Sequence, residues 1–212
     1  MRRPLVAGNW KMNGSREMTQ TLVSGICSGL ADVGGADVVI CPPYVYLDLC
    51  HQVVGEAPIA VGAQDLDVHE AGAFTGAVAA DMLVDAGCDF VIVGHSERRS
   101  LYGEGDADVG VKAAVAAAKG LTPIICVGET LEEKKLGKTK EVLYEQISNS
   151  LPLNSSNHHL IVAYEPIWAI GSGLTPSLQE INDMHFFLKK EINGFQNFKI
   201  LYGGSVKSNN AK

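Results

Sequence analysis

The chain alternates between short apolar runs and longer amphipathic stretches. The runs are PLVAGN (4–9), ADVVIC (36–41), IAVGAQ (59–64), DFVIVGH (89–95), PIICVGE (123–129), LIVAYE (160–165) and KILYGG (199–204). They are largely continuous rather than alternating in hydrophobicity, which is the pattern of strands covered on both faces of a parallel sheet. Between most of them lie helix-like segments, at 17–31, 106–120, 131–151 and 177–192. Thr130 with Glu133 and Ser177 with Glu180 have the S/T-x-x-E spacing of capping boxes, which marks two helix starts. Strand followed by helix at intervals of about 20 to 40 residues predicts repeated βα units.

Two α/β architectures accommodate that rhythm. A doubly wound dinucleotide-binding sheet calls for G-x-G-x-x-G after its first strand, but VAGNWKMNG lacks it and GSGLTP (171–176) lacks the third glycine. A parallel barrel fits better, with seven strand-like runs where eight close the barrel. The expectation is an α/β fold of the (β/α)8 barrel type with the eighth unit missing. It would form a single domain over 1–212, truncated after strand seven, with KSNNAK (207–212) opening a further helix. Composition changes near residue 131: residues 1–130 hold 18 Ala, 3 Lys and 2 Asn, whereas 131–212 hold 3, 9 and 8. The βα rhythm crosses that change without a linker, which favours one domain.

Composition narrows the function classes. The net charge is −7 and no basic stripe is present, which opposes long-range attraction of nucleic acid, so an anionic ligand must be met by local cations and backbone donors. Five cysteines, Cys27, Cys41, Cys50, Cys88 and Cys126, lack C-x-x-C spacing and mostly sit beside apolar residues, as buried thiols do in a reducing compartment. No run approaches the about 18 apolar residues of a membrane span, so a cytoplasmic protein without a membrane partner is expected.

In a parallel barrel, chemistry gathers at the C-terminal ends of strands. Those ends carry Asn9 and Lys11, Gln64, His95, Glu129, Glu165, and the glycines of YGGS. His95 precedes Ser96 at an expected helix start, where the positive dipole end favours a neutral, hydrogen-bonding imidazole; an ordinary loop histidine is the competing reading. Glu165 follows an apolar strand, where a carboxylate needs a partner, and Pro166 stops that strand. The following IWAI with Gly171 and Gly173 reads as a lid, a bulky tip flanked by flexible or amide-presenting glycines. Gly203, Gly204 and Ser205 offer backbone amides to a phosphate, although paired glycines more often form only a tight turn. Gly137, Lys138 and Thr139 imitate the end of a P-loop, but Glu132 stands where its first glycine belongs, so they read as a solvated helix face.

Taken together and in order, AGNWKMNG, GHSERR, CVGETLEE, AYEPIWAIGSG and LYGGSV closely resemble the triosephosphate isomerase family, from about residue 3 to the last residue. The resemblance implies a cofactor-free and metal-free enzyme that interconverts dihydroxyacetone phosphate and D-glyceraldehyde 3-phosphate in glycolysis and gluconeogenesis. It implies catalytic roles for Glu165 as base, His95 as proton donor to the substrate oxygens, and Lys11 as the cation. Asn9, Lys11, Gly171 and Ser205 would bind substrate, while Gly203 and Gly204 would support the phosphate. Glu97 would support Lys11, and Cys126 would sit behind the base. Loop 62–76 resembles the family's interdigitating loop, which implies a homodimer with Thr75 reaching the neighbouring subunit. Leu174 stands where many members have lysine, and the stretch between the lid and KILYGG is short for the family. The alternative is a noncatalytic, phosphate-binding barrel derived from the same family.

Overall fold

The computed structural model describes residues 3–30, 35–152, 159–192, 195, 197–206 and 210. The expected helix start at 207–212 lies, apart from Asn210, outside the described residues. Two compact units are present, one made of residues 1–92 and 118–123, the other of 93–117 and 124–212.

In the first unit, strands β1 (Leu5–Asn9), β2 (Asp37–Cys41) and β3 (Ile59–Ala63) alternate with helices α1 (Arg16–Leu30), α2 (Leu47–Val54) and α3 (Ala80–Asp85). Pairing is parallel, with Leu5 opposite Asp37 and Val38 opposite Ile59. Strand β4 (Phe90–Val93) follows, with Phe90 opposite Gly62. Val39, Ile40, Val61, Ala63 and Val91 are buried, as their continuous apolar runs require. Strand β1 differs: its burial alternates, and Val6 is 58% exposed.

The second unit carries α4 (Ser96–Tyr102), most of α5 (Asp106–Ala118), and β5 (Thr122–Val127), whose first residues belong to the first unit. It continues through α6 (Leu131–Lys135), α7 (Thr139–Ser150), β6 (Leu160–Tyr164), α8 (Leu178–Glu191) and β7 (Phe198–Tyr202). Strands β5, β6 and β7 pair in parallel, with Ile124 opposite Ile161 and Leu160 opposite Phe198. Across the seven strands, sheet order follows chain order. Helix α5 buries Val109, Ala113, Ala116 and Ala117, one face at helical spacing. Every residue of β6 is buried.

Both capping boxes form as anticipated: Thr130 and Ser177 accept from the backbones of Glu133 and Glu180, whose carboxylates reach back. One expectation is corrected. Residues 131–151 form two helices, not one, because Gly137 turns the chain at φ 71°, a conformation open to glycine and costly for other residues. The Gly137–Thr139 stretch, read as a helix face, is that break, and Thr139 begins α7.

The five cysteines form no disulfide. Burial pushes the Cys41 and Cys88 thiols up to about 12 and that of Cys50 up to about 11. Cys27 on α1 is half-buried.

Candidate active site

The polar residues expected at strand ends fall at or just past them. Asn9 closes β1; Gln64 and Glu165 stand one residue beyond β3 and β6, and His95 and Glu129 two beyond β4 and β5.

In the first unit the chain leaves β1 through a tight polar turn. The Lys11 backbone N–H donates to Asn9 Oδ1 at 2.9 Å, and the Trp10 N–H donates to the Cys41 carbonyl at 3.0 Å. Gln64 Nε2 donates to the carbonyls of Lys11 (2.9 Å) and Cys41 (2.8 Å), so its amide spends both N–H groups tying the turn to β2. Among the described residues, Lys11 is the one non-glycine at positive φ, 52°. Such a conformation costs on the order of 1–3 kcal/mol and persists because these four hydrogen bonds over-determine the turn.

Loop 62–76 is internally ordered. The Asp67 N–H donates to the Val78 carbonyl at 2.8 Å, Asp67 Oδ1 meets both the backbone and Nδ1 of His69, and the His69 ring stacks on Phe74 with centroids 3.7 Å apart. Thr75 follows Phe74 and is exposed.

In the second unit His95 caps α4. Its Nδ1 accepts from the Glu97 N–H at 3.2 Å, so in the neutral ring the proton resides on Nε2, which lies 3.6 Å from Glu165 Oε2. Glu97 Oε2 also approaches Nδ1, at 3.5 Å. The His95 side chain is 7% exposed and that of Glu165 14%. Two glycines fix Glu165. A Cβ on Gly128 would stand 1.8 Å from the Glu165 carbonyl oxygen, and one on Gly203 would stand 2.5 Å from Glu165 Cγ. The Glu165 N–H donates to Val127 O (2.7 Å), and the Gly203 N–H to Tyr164 O (2.8 Å).

Beyond Glu165, Ile167–Ala169 form a short 3-10 turn, followed by Gly171 and Gly173 at φ 66° and 77°. Ser205 Oγ donates to Ala169 O at 3.0 Å, which joins the segment after β7 to the candidate lid. Tyr202 lies over Gly204, where a Cβ would meet its hydroxyl at 2.4 Å. Cys126, buried in β5, offers its carbonyl to Arg99 Nη2 at 3.3 Å.

Sequence reasoning gave no role to Glu129, which is 1% exposed. It accepts from Trp168 Nε1 at 2.8 Å and from the Tyr164 hydroxyl at 3.2 Å. Burial, and then the Glu129 charge, push the Tyr164 hydroxyl pKa upward, so it stays a donor. A glutamate two residues past an apolar strand, with a tryptophan in the lid motif, was the available signal. Among the described residues, no group of three or more His, Cys, Asp or Glu side chains is arranged to hold a metal.

The family profile described as triosephosphate isomerase matches residues 4–212. The chain belongs to the triosephosphate isomerase family. It is 46% identical to the triosephosphate isomerase of Vesicomyosocius okutanii over 218 residues, covering 100% of this chain and 88% of that protein. It is also 46% identical to that of Nitrosococcus oceani, with 100% and 87% covered. A crystal structure of triosephosphate isomerase from Bartonella henselae superposes with a TM-score of 0.86 at 37% identity, covering 97% of this chain and 84% of that one. Membership in the triosephosphate isomerase family settles the fold class as the α/β barrel type, of whose eight units seven strands are described. It also places the chain among isomerases. No helix among the described residues is long and apolar enough to cross a membrane.

Proposed function

We propose that this chain interconverts dihydroxyacetone phosphate and D-glyceraldehyde 3-phosphate by proton transfer through an enediolate, as a step of glycolysis and gluconeogenesis. The observation that carries the reading is the His95–Glu165 pair, 3.6 Å apart, with the imidazole proton on the nitrogen that faces the carboxylate.

Glu165 takes the proton from the carbon beside the substrate carbonyl and returns it to the neighbouring carbon. A positioned base of this kind contributes about 10² to 10⁴ in rate. The Nε2–H of His95 donates to the oxygen on which charge develops and moves protons between the two oxygens. Lys11 supplies the cation that stabilises the enediolate and the phosphate, a role that the protein's overall negative charge cannot supply from a distance. Asn9, Gly171 and Ser205 complete the substrate contacts, with Gly203 and Gly204 shaping the phosphate turn. Glu97 supports Lys11, and Cys126 backs the base. Residues 166–176 close over the substrate and exclude water, which keeps the enediolate from losing phosphate.

We read the chain as one domain, supported by β4 and β5 each running from one unit into the other. The ordered loop 62–76, with exposed Thr75 and half-exposed Phe74, is read as the contact of a homodimer. A cytoplasmic setting agrees with the free thiols.

The test is a coupled isomerase assay in both directions on protein of verified mass, purified from a host lacking its own enzyme. Turnover that scales with protein and is retained through a final size-exclusion step supports the reading. Phosphate-ester binding without turnover would overturn it in favour of a noncatalytic barrel.

A further inference from the structure

Trp168, at the start of the candidate lid, is gripped on two sides by one short segment. Glu129 takes its indole N–H at 2.8 Å, and five residues later the Lys134 ammonium stands 3.6 Å from the ring centroid, over the face. The capping box of Thr130 and Glu133 fixes the turn between them, so edge and face are held in a set relation.

Lys134 also reaches elsewhere. Its Nζ donates to Glu180 Oε1 at 2.8 Å, while the other carboxylate oxygen, Oε2, accepts from the backbone and hydroxyl of Ser177 at 2.8 and 2.9 Å. Ser177 is the N-cap of α8, immediately after the glycine-rich stretch. The two oxygens of Glu180 thus divide their work: one secures the end of the lid, the other secures Lys134. The ammonium lies between the lid's first aromatic residue and the helix on which the lid ends.

We infer that Lys134 is a positioning residue that couples the two ends of lid 166–176, so that release of Trp168 at one end and of Ser177 at the other is a single event. The inference rests on reading 166–176 as a lid. A cation over an indole face is attracted by the ring quadrupole, and an ammonium–carboxylate pair that is 32% and 47% exposed is open to screening by salt. Removing the ammonium takes away the contact on the Trp168 face and the tether to Glu180 at once, while the Glu129 and Ser177 hydrogen bonds stay in place. Removing Glu180 frees the second end and leaves Lys134 on the ring without its tether.

The test uses the full chain with Trp10→Phe, which leaves Trp168 as the single tryptophan of the two, labelled with 5-fluorotryptophan. The fluorine shift and its exchange broadening report the Trp168 environment without requiring turnover. Lys134→Met is expected to move the resonance, shift the open–closed populations by about two- to fivefold, and change kcat more than KM. Lys134→Arg should restore the parent signal, since a guanidinium can also sit over the ring and meet Glu180. Glu180→Gln and raised salt should give smaller changes in the same direction. A Lys134→Met resonance identical to the parent's would overturn the inference. Equal changes in Lys134→Met and Lys134→Arg would overturn it too, because they would trace to damage in α6. If the resonance responds as expected but the parent shows no isomerase turnover, the coupling stands and the functional reading falls.

Discussion

The turn after β1 and the junction after β6 both present a charged side chain at a strand end, yet they are built by opposite means. Lys11 is held through its own backbone: a left-handed conformation fastened by the neutral amides of Asn9 and Gln64. Glu165 is held by the absence of side chains around it, at Gly128 and Gly203, and faces an ionisable partner in His95. The first arrangement fixes the root of a long side chain through the backbone that carries it. The second leaves a short carboxylate almost no room. A cation that stabilises spread-out charge tolerates latitude, whereas a base must sit within a fraction of an ångström of the proton it takes.

The largest effect that breaks the comparison should come from removing the groups themselves. Glu165→Gln should lower kcat by about 10² to 10⁴ with little change in thermal stability, and Lys11→Met should lower kcat/KM by about 10² to 10³. Steady-state kinetics against a catalytically silent host background checks both. An unchanged rate for either would remove that residue from the mechanism.

Next comes the shape of the site rather than its charge. Gly203→Ala adds a methyl 2.5 Å from Glu165 Cγ, so the base must swing away. A loss of about 10- to 100-fold in kcat is expected, since a displacement near 1 Å can cost that much. A normal kcat would show that the carboxylate is not sterically fixed.

A smaller effect tests the other cluster. Gln64→Leu removes the Gln64 hydrogen bond from the Lys11 carbonyl and leaves the Trp10 N–H as a donor to the Cys41 carbonyl, which should cost about 1–3 kcal/mol of stability. Because only the root of Lys11 is loosened, KM should rise more than kcat falls. A thermal melt and a kinetic split read out the two halves of this statement.

Much of this architecture was legible from the order of residues. All seven strands fall within the apolar runs or within a residue or two of their ends, because a strand covered on both faces has little choice but to be apolar. Helices α2 and α3 were not legible, and of α4 only the start at Ser96 was. They span eight, six and seven residues, too few for a helical period to stand out, and SERRSLY of α4 buries no residue. At the site, the charged residues announced themselves by standing at strand ends. Their supports did not, because a hydrogen bond such as Gln64 to Lys11 or Trp168 to Glu129 joins residues 53 or 39 positions apart. Local pattern carries no trace of such pairs.

The smallest predicted effect separates ionic from neutral scaffolding. Lys134 first, then the Ser177 backbone and hydroxyl, hold the Glu180 carboxylate down to about 2. A carboxyl whose folded pKa is depressed contributes stability that is fully present above its ordinary value of 4.5 and is lost as pH falls through 2. The melting-temperature difference between the parent and Glu180→Gln should therefore be constant above about pH 4.5 and shrink towards pH 2. The difference for Gln64→Leu should stay level over the same range, since no proton exchanges at an amide there. Parallel acid profiles for the two variants would contradict the contrast.

The buried thiols carry a practical consequence for anyone handling the protein. A sulfhydryl with a pKa near 12 is a thiolate in only about one molecule in 10⁵ at neutral pH, and the thiolate is the species that alkylating and disulfide reagents attack. Cys41 and Cys88 are thus chemically silent in the folded state, Cys50 nearly so, and Cys126 is shielded by burial. Cys27, half-buried on α1, is left as the native attachment point for a maleimide dye, spin label or surface tether, so that no cysteine needs to be engineered in or out.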